Sequence, residues 1–538
     1  MLHLGGKDYP VSCRKRRVFR GYGQLATCAI SSISLTTVSH PELSIELSCP
    51  LRPPSCLPVH SRMPERFDVE VISRTLVRAS DPPRGFPAVL PASNLDLIVG
   101  SFHAFLIAVY PAPAAGFPAV AAAVRAALPA FLSRFYPFAG RVVVADASTG
   151  VPQTVCSNAG AELLVAHAGG GVRLADVDFA DAHRSIGLIQ VPFEQGLALS
   201  LQLVRFACGG FSLTWGVDHL LADGHGLTKL HNAWSEMLLR GNGELSWEPR
   251  FDGASLFRPR SPPRYDAPSR LDAEFGRYAP DSLANPLLLA SLVRRTYVVE
   301  AADVERLLAT ASTPARRATR VEAVSAHVWK LLAAAVGGSD TRCRMAWAVD
   351  GRRCLDPAKY GENLVQSYLG NVVTYASREA SVETVASSSL AGVAAMAAAA
   401  IAGVFRQERY EELVDWMEAR KGVFADGGKW TEAVQMGTGS PALVVSALVP
   451  FRVEGDFGFG APRMVMPWVR PGRLGSAAMT MVRGSAGNGS WLVTARLWPR
   501  LADALDADPE AVFKAATAER LGFVAPGNTA QQHAVSRM

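Results

Sequence analysis

Val217-Asp218-His219-Leu220-Leu221-Ala222-Asp223-Gly224 sets a histidine, an acid and a glycine between two apolar stretches. Upstream, residues 199–207 and 211–217 read as strands joined through Cys208-Gly209-Gly210, a hairpin signal. Downstream, residues 227–239 have helical spacing and stop at Gly241. A strand therefore delivers His219 at its end, and Gly224 permits a tight turn straight after Asp223. An imidazole there can take a proton from a hydroxyl and return it later. Taken alone, H-x-x-x-D-G also fits a buried histidine satisfied by backbone carbonyls. A metal site is a third reading, because His219, Asp223, His225 and His231 are close in sequence. His231 falls inside the expected helix, though, and the fixed two-histidine zinc spacing is absent. No metal is expected.

Working outward, the pattern alternates between strand and helix. Residues 67–77 alternate as a first strand, and 117–135 carry Val120, Val124, Leu128 and Leu132 at helical spacing. Residues 247–286 are rich in Pro, Arg, Ser and Asp, which suits a crossover between two domains. Beyond it, helices are expected over 321–335, 382–405, 410–421 and 509–518. Strands are expected over 344–349, 443–448, 478–483 and 491–497. The fold class is α/β with mixed sheets in two unequal halves.

The chain of 538 residues exceeds one ordinary core; 49% apolar and 19% charged residues describe a globular protein. Its net charge of +6 is misleading, because residues 1–62 hold eight Lys/Arg against three acids. The body is nearly neutral, which removes the electrostatic case for nucleic acid. The 16-residue apolar run 390–405 is too short to span a bilayer and meets Arg406. Half the cysteines also lie in residues 1–62, and the body has no C-x-x-C pair. Such sparse usage fits a reducing compartment, so a cytoplasmic location is expected. Residues 1–62 read as a disordered extension; an organelle transit peptide is the alternative.

No stretch completes G-x-G-x-x-G, a P-loop or G-x-S-x-G, which subtracts dinucleotide enzymes, nucleotide hydrolases and ordinary lipases. Gly455-Asp456-Phe457-Gly458-Phe459-Gly460-Ala461-Pro462 reads as a stiff loop with two aromatic anchors. With His219-x-x-x-Asp223-Gly224, this D-F-G-F-G segment resembles the H-x-x-x-D-G and D-F-G-W-G of the plant BAHD acyltransferases. Tyr136-Pro-Phe-Ala-Gly-Arg141, Ala326-His-Val-Trp-Lys330 and Tyr368-Leu-Gly-Asn371 resemble further segments of that family. So do Asp350-Gly-Arg352 and Ser93-Asn-Leu-Asp96. Departures are Phe459 for the motif tryptophan, Ala461 for the basic residue after it, Cys354 for a second arginine, and Ala447 for an upstream tryptophan.

The resemblance implies two chloramphenicol-acetyltransferase-like domains, mixed sheets with flanking helices, and an active-site channel between them. The expected division is an extension at 1–62, an N-terminal domain at 63–246, a crossover at 247–290, a C-terminal domain at 291–525 and a tail at 526–538. Acyl-CoA is implied as co-substrate, with no permanently bound cofactor, a small-molecule acceptor and a monomeric enzyme. His219 is implied as general base, Asp223 and Gly224 as shapers of its loop, and Asp456 with Arg352 as a structural ion pair. The implied reaction is O-acylation of an alcohol, with hydroxycinnamoyl among the candidate acyl groups. Alternatives are N-acylation of an amine, or a non-catalytic binding protein retaining the fold. The residues that contact CoA are not assigned.

Overall fold

The computed structural model describes residues 69–144, 148–182, 189–240, 244–265, 270–278, 292–453, 456–469 and 475–524. The extension and the tail lie outside these residues. The described residues all fall within one compact unit.

Two large mixed sheets organise that unit. The first has six strands in the spatial order Val69–Val77, Ala161–Ala168, Leu199–Arg205, Phe211–Asp218, His103–Tyr110, Met464–Val469. Only the 161–168 and 199–205 strands run parallel; every other neighbour is antiparallel. The second has seven, in the order Val373–Ser381, Arg342–Asp350, Ala442–Ala447, Ala477–Arg483, Trp491–Leu497, Val293–Val299, Lys514–Ala515. The class is α/β with mixed sheets, as the alternating pattern implied.

The central strands of each sheet are covered on both faces and read as nearly continuous apolar runs, whereas the edge strand Val69–Val77 is largely exposed. In His103–Tyr110 the alternation sorts side chains between two cores. Ala104, Leu106 and Ala108 face the helix Phe117–Arg134, which buries Val120, Val124, Leu128 and Leu132 against the sheet. Phe105, Ile107 and Val109 face the other way and pack with Trp468, Val482 and Leu492. The last two belong to the second sheet, so this core ties the sheets together. The far face of the second sheet packs on the helices Arg320–Val336 and Leu390–Val404.

Three expectations are corrected. The alanine-rich run is not one helix but Val382–Ser387 and Leu390–Val404, broken at Ser388-Ser389. Ser389 caps the second helix, and Lys330 Nζ takes up the carbonyls of Val385, Ala386 and Ser388 at the end of the first. Residues 509–518 are not helical; the last helix among the described residues is Pro499–Asp506. Asp508 instead binds the amides of Glu510 and Val512 and accepts from His327 Nε2 at 2.7 Å, fastening that segment as a turn. The helix after His219 runs Gly224–Arg240 and so begins three residues before the expected start.

Candidate active site

The strand Phe211–Asp218 ends one residue before His219, whose backbone N–H donates to Phe102 O at 2.8 Å. The Phe102 ring lies against the imidazole, centroids 4.6 Å apart. Asp218 ties this corner together: it accepts from Ser101 Oγ, just ahead of the neighbouring strand His103–Tyr110, at 2.7 Å and from the Leu220 amide of its own turn at 2.9 Å. His219 thus leaves its strand at a corner pinned on two sides.

Its ring is oriented from the other half of the chain. His219 Nδ1 lies 3.1 Å from Asn371 Oδ1. Asn371 Nδ2 donates to Asp96 Oδ1, to His219 O, both at 2.9 Å, and to Leu220 O. Three acceptors around one NH2 group decide which way the amide faces, so the oxygen is the atom presented to His219. Nδ1 therefore carries the proton and Nε2 the lone pair. Among the described residues Nε2 has no partner. Asp96 is itself held by Ser93, the first residue of a capping box at the helix Asn94–Val99. Burial holds the His219 pKa below its ordinary value, against the opposing pull of Asp223 and Asn371. The imidazole is consequently neutral at pH 7.

Asp223 points elsewhere. Oδ1 caps the new helix by accepting from the Gly226 amide at 2.9 Å. Both oxygens take the Arg352 guanidinium, at 2.8 and 3.1 Å, and Oδ2 also accepts from the Val372 amide. Burial pushes the Asp223 carboxyl up, but the charge and hydrogen bonds of Arg352 outweigh it and hold it low. With its oxygens occupied in this way, Asp223 shapes the loop and cannot serve as the histidine's partner. Gly224 opens the helix, and a Cβ there would meet the mobile end of Leu448. Gly226 is tighter, because a Cβ would fall 2.0 Å from the Leu369 carbonyl oxygen.

The expected Asp456–Arg352 ion pair is not formed. Arg352 is fully buried among Asp223, Asp350 and the Gly370 carbonyl. Asp456 is exposed and accepts from the amides of Gly458 and Gly460 within its own loop. Both glycines have positive φ, +85° and +93°, which only glycine adopts without strain. Phe457 anchors the loop, edge-on to His231 at 4.9 Å. His225 Nε2 donates to Val365 O at 2.8 Å, and no group of three potential ligands that could hold a metal occurs among the described residues.

Asn371, Asp96 and Phe102 are the site residues that sequence reasoning left without a role. The Ser93-x-x-Asp96 capping box was a readable signal for one of them. Asn371 was marked only as the end of the Tyr368-Leu-Gly-Asn371 segment and nothing local marks Phe102, because the His219 that both meet is more than a hundred residues away.

A mixed two-sheet body with a histidine oriented where its halves meet defines a class, and the chain matches it. Residues 67–511 fit the model of the Transferase family. The chain belongs to this family, the BAHD acyltransferases.

It is 32% identical over 304 residues to a hydroxycinnamoyl-CoA:5-hydroxyanthranilate N-hydroxycinnamoyltransferase of Avena sativa, covering 52% of this chain and 65% of that protein. It is 29% identical over 423 residues to putrescine hydroxycinnamoyltransferase 1 of Oryza sativa subsp. japonica, covering 73% and 88%. The fold is that of the vinorine synthase crystal structure, with a TM-score of 0.62 at 19% identity over 83% of this chain and 99% of that one. Among the described residues no single helix is long and apolar enough to cross a membrane.

Proposed function

We propose that the chain transfers an acyl group, hydroxycinnamoyl first among the candidates, from acyl-CoA to a small-molecule alcohol, with His219 as general base. The observation that carries this reading is the fixed Asn371 amide, which leaves the lone pair of the imidazole on an unpartnered Nε2. Nε2 takes the proton of the acceptor hydroxyl, and the oxygen attacks the thioester carbonyl. The tetrahedral intermediate collapses with cleavage of the C–S bond. The imidazolium then returns its proton to the departing thiolate. Asn371 accepts the Nδ1–H throughout and stabilises the imidazolium when it forms. Neither a metal nor an acyl-enzyme enters this sequence. A cytoplasmic monomer is part of the proposal.

An amine acceptor is the second reading, favoured by the names of the oat and rice relatives, which specify anthranilate nitrogen and putrescine. The test is a donor-by-acceptor screen that follows free thiol, using hydroxycinnamoyl-, benzoyl- and acetyl-CoA against alcohols and amines. Acceptor-dependent thiol release is expected, and His219→Ala should lower it ~10²–10⁴-fold with the fold intact. Near-normal turnover in that variant removes His219 from the chemistry. No transfer by the wild type, with CoA still bound, favours a binding protein.

A further inference from the structure

Arg496 lies in the strand Trp491–Leu497, on the face opposite to the helix-packed side chains Val493, Ala495 and Leu497. It stands in register between Ala478 on one neighbouring strand and Arg294 on the other. Among the described residues no carboxylate comes within salt-bridge distance of its guanidinium. Among the described residues its one hydrogen bond is a long one, 3.5 Å from Nη2 to the Ser476 carbonyl. Its Nε is shut away from water with no acceptor at all. Arg294, directly opposite, adds a second positive charge and lays its guanidinium over the Trp468 ring at 4.9 Å. Burial and that like charge push the Arg496 pKa down to about 10. A partly buried guanidinium with an unfilled Nε donor costs free energy until an acceptor arrives.

The place of this pair in the fold says where the anion would come from. Thr494, two residues before Arg496, donates to Pro467 O, so the two sheets touch here. Trp468 pairs in register with Phe105 and Val469 with Ala104, on the strand that follows Phe102. Phe102 is the ring stacked on His219. Trp468 therefore stands near the end of the first sheet that carries His219, two strands across from it, roughly 10 Å along the sheet at about 4.8 Å per strand. The arginines belong to the second sheet, Arg294 over the Trp468 ring and Arg496 beside Arg294.

We propose that Arg496, flanked by Arg294 and Trp468, is an oxyanion subsite that receives a carboxylate or phosphate carried by one of the two co-substrates. The planar guanidinium suits either group, since both present two oxygens to its paired N–H donors. That the anion belongs to a co-substrate rests on the acyltransfer reading; that the site binds an oxyanion does not.

The test is calorimetric binding without turnover, in full-length protein, comparing wild type with Arg496→Met and Arg496→Lys. One arm titrates CoA and its 3′-dephospho form. The other titrates an aromatic acid and its methyl ester. The wild type should bind the charged member of one pair about tenfold or more tightly than the uncharged one. Arg496→Met should abolish that difference without lowering the melting temperature, and Arg496→Lys should keep part of it. The pair that responds names the source of the anion. Unchanged discrimination in Arg496→Met overturns the proposal, as does a wild type that discriminates in neither arm. A lower melting temperature with affinities unchanged also overturns it and makes Arg496 structural. Absence of acyl transfer in an enzyme that passes this test counts against the catalytic reading alone.

Discussion

Asp218 and Asp223 are buried five residues apart, yet their carboxyls shift in opposite directions. Asp223 has a guanidinium on both oxygens, whereas Asp218 has only a hydroxyl and one amide to set against burial. Burial raises the Asp218 pKa to about 6. Its folded value lies above its unfolded value, so the group stabilises the fold only at low pH. That contribution fades as pH rises from about 4 through about 6. Asp218→Asn should accept from the Leu220 amide through its oxygen, donate to Ser101 Oγ in place of accepting from it, and never ionise. Its melting temperature relative to wild type should rise across that interval and level off above it, by an amount equivalent to ~2–3 kcal/mol at most. An asparagine variant less stable than wild type at pH 7.5 would show that the ionised carboxylate is the better partner. Asp223 has the reverse sign: its contribution is complete above the unfolded carboxylate pKa and is lost as pH falls through the depressed folded value. Arg352→Met strands that carboxylate without a counterion and should cost about 3–5 kcal/mol. Its check is a denaturant titration at pH 7, where an unchanged midpoint would contradict the buried pair. The His219 pKa is also held low, so the acid limb of kcat/KM should fall below the ordinary histidine value.

The turn-and-helix element after His219 depends on two glycines of unequal consequence. Gly224→Ala meets only the flexible end of Leu448, whereas Gly226→Ala meets the backbone oxygen of Leu369. Leu369 is two residues from Asn371, so displacing it moves the amide that orients His219. Gly224→Ala should cost little, while Gly226→Ala should lose about 1–3 kcal/mol and most of its turnover. Equal behaviour of the two variants would show that the 369–371 segment yields freely. Much of this element was legible: period-two and period-3.6 patterns located the hairpin and the helix, and the histidine announced itself. What stayed hidden was what depends on distant partners. A glycine three residues into a helix looks ordinary until the Leu369 carbonyl is placed against it. The Arg352–Asp456 pairing failed for a similar reason, because any of several acids could have supplied the counterion. In the alanine-rich run, local propensity favoured one helix, and only the ammonium of Lys330 shows where the first of two ends.

At the scale of the molecule, the sheet that bears His219 is completed by a strand from far downstream. Met464–Val469 follows the Asp456–Gly460 loop and pairs with His103–Tyr110 along six residues. The site repeats this dependence, since Asn371 and Arg352 come from the same distant half. A fragment of residues 63–246 therefore lacks its edge strand and the residues that fix the His219 corner. It would also leave the buried, apolar strand His103–Tyr110 with a free edge, a ready template for aggregation. That fragment, expressed alone, should be insoluble or without a cooperative melt, although it contains the whole H-x-x-x-D-G segment. Co-expression with residues 247–538 should return both soluble protein and any transfer activity, because the missing strand and Asn371 are then supplied in trans. A 63–246 fragment that is soluble and melts cooperatively on its own would show that the strand from the other half is an ornament of the first sheet. The two halves would then be separable folding units, with only the chemistry shared between them.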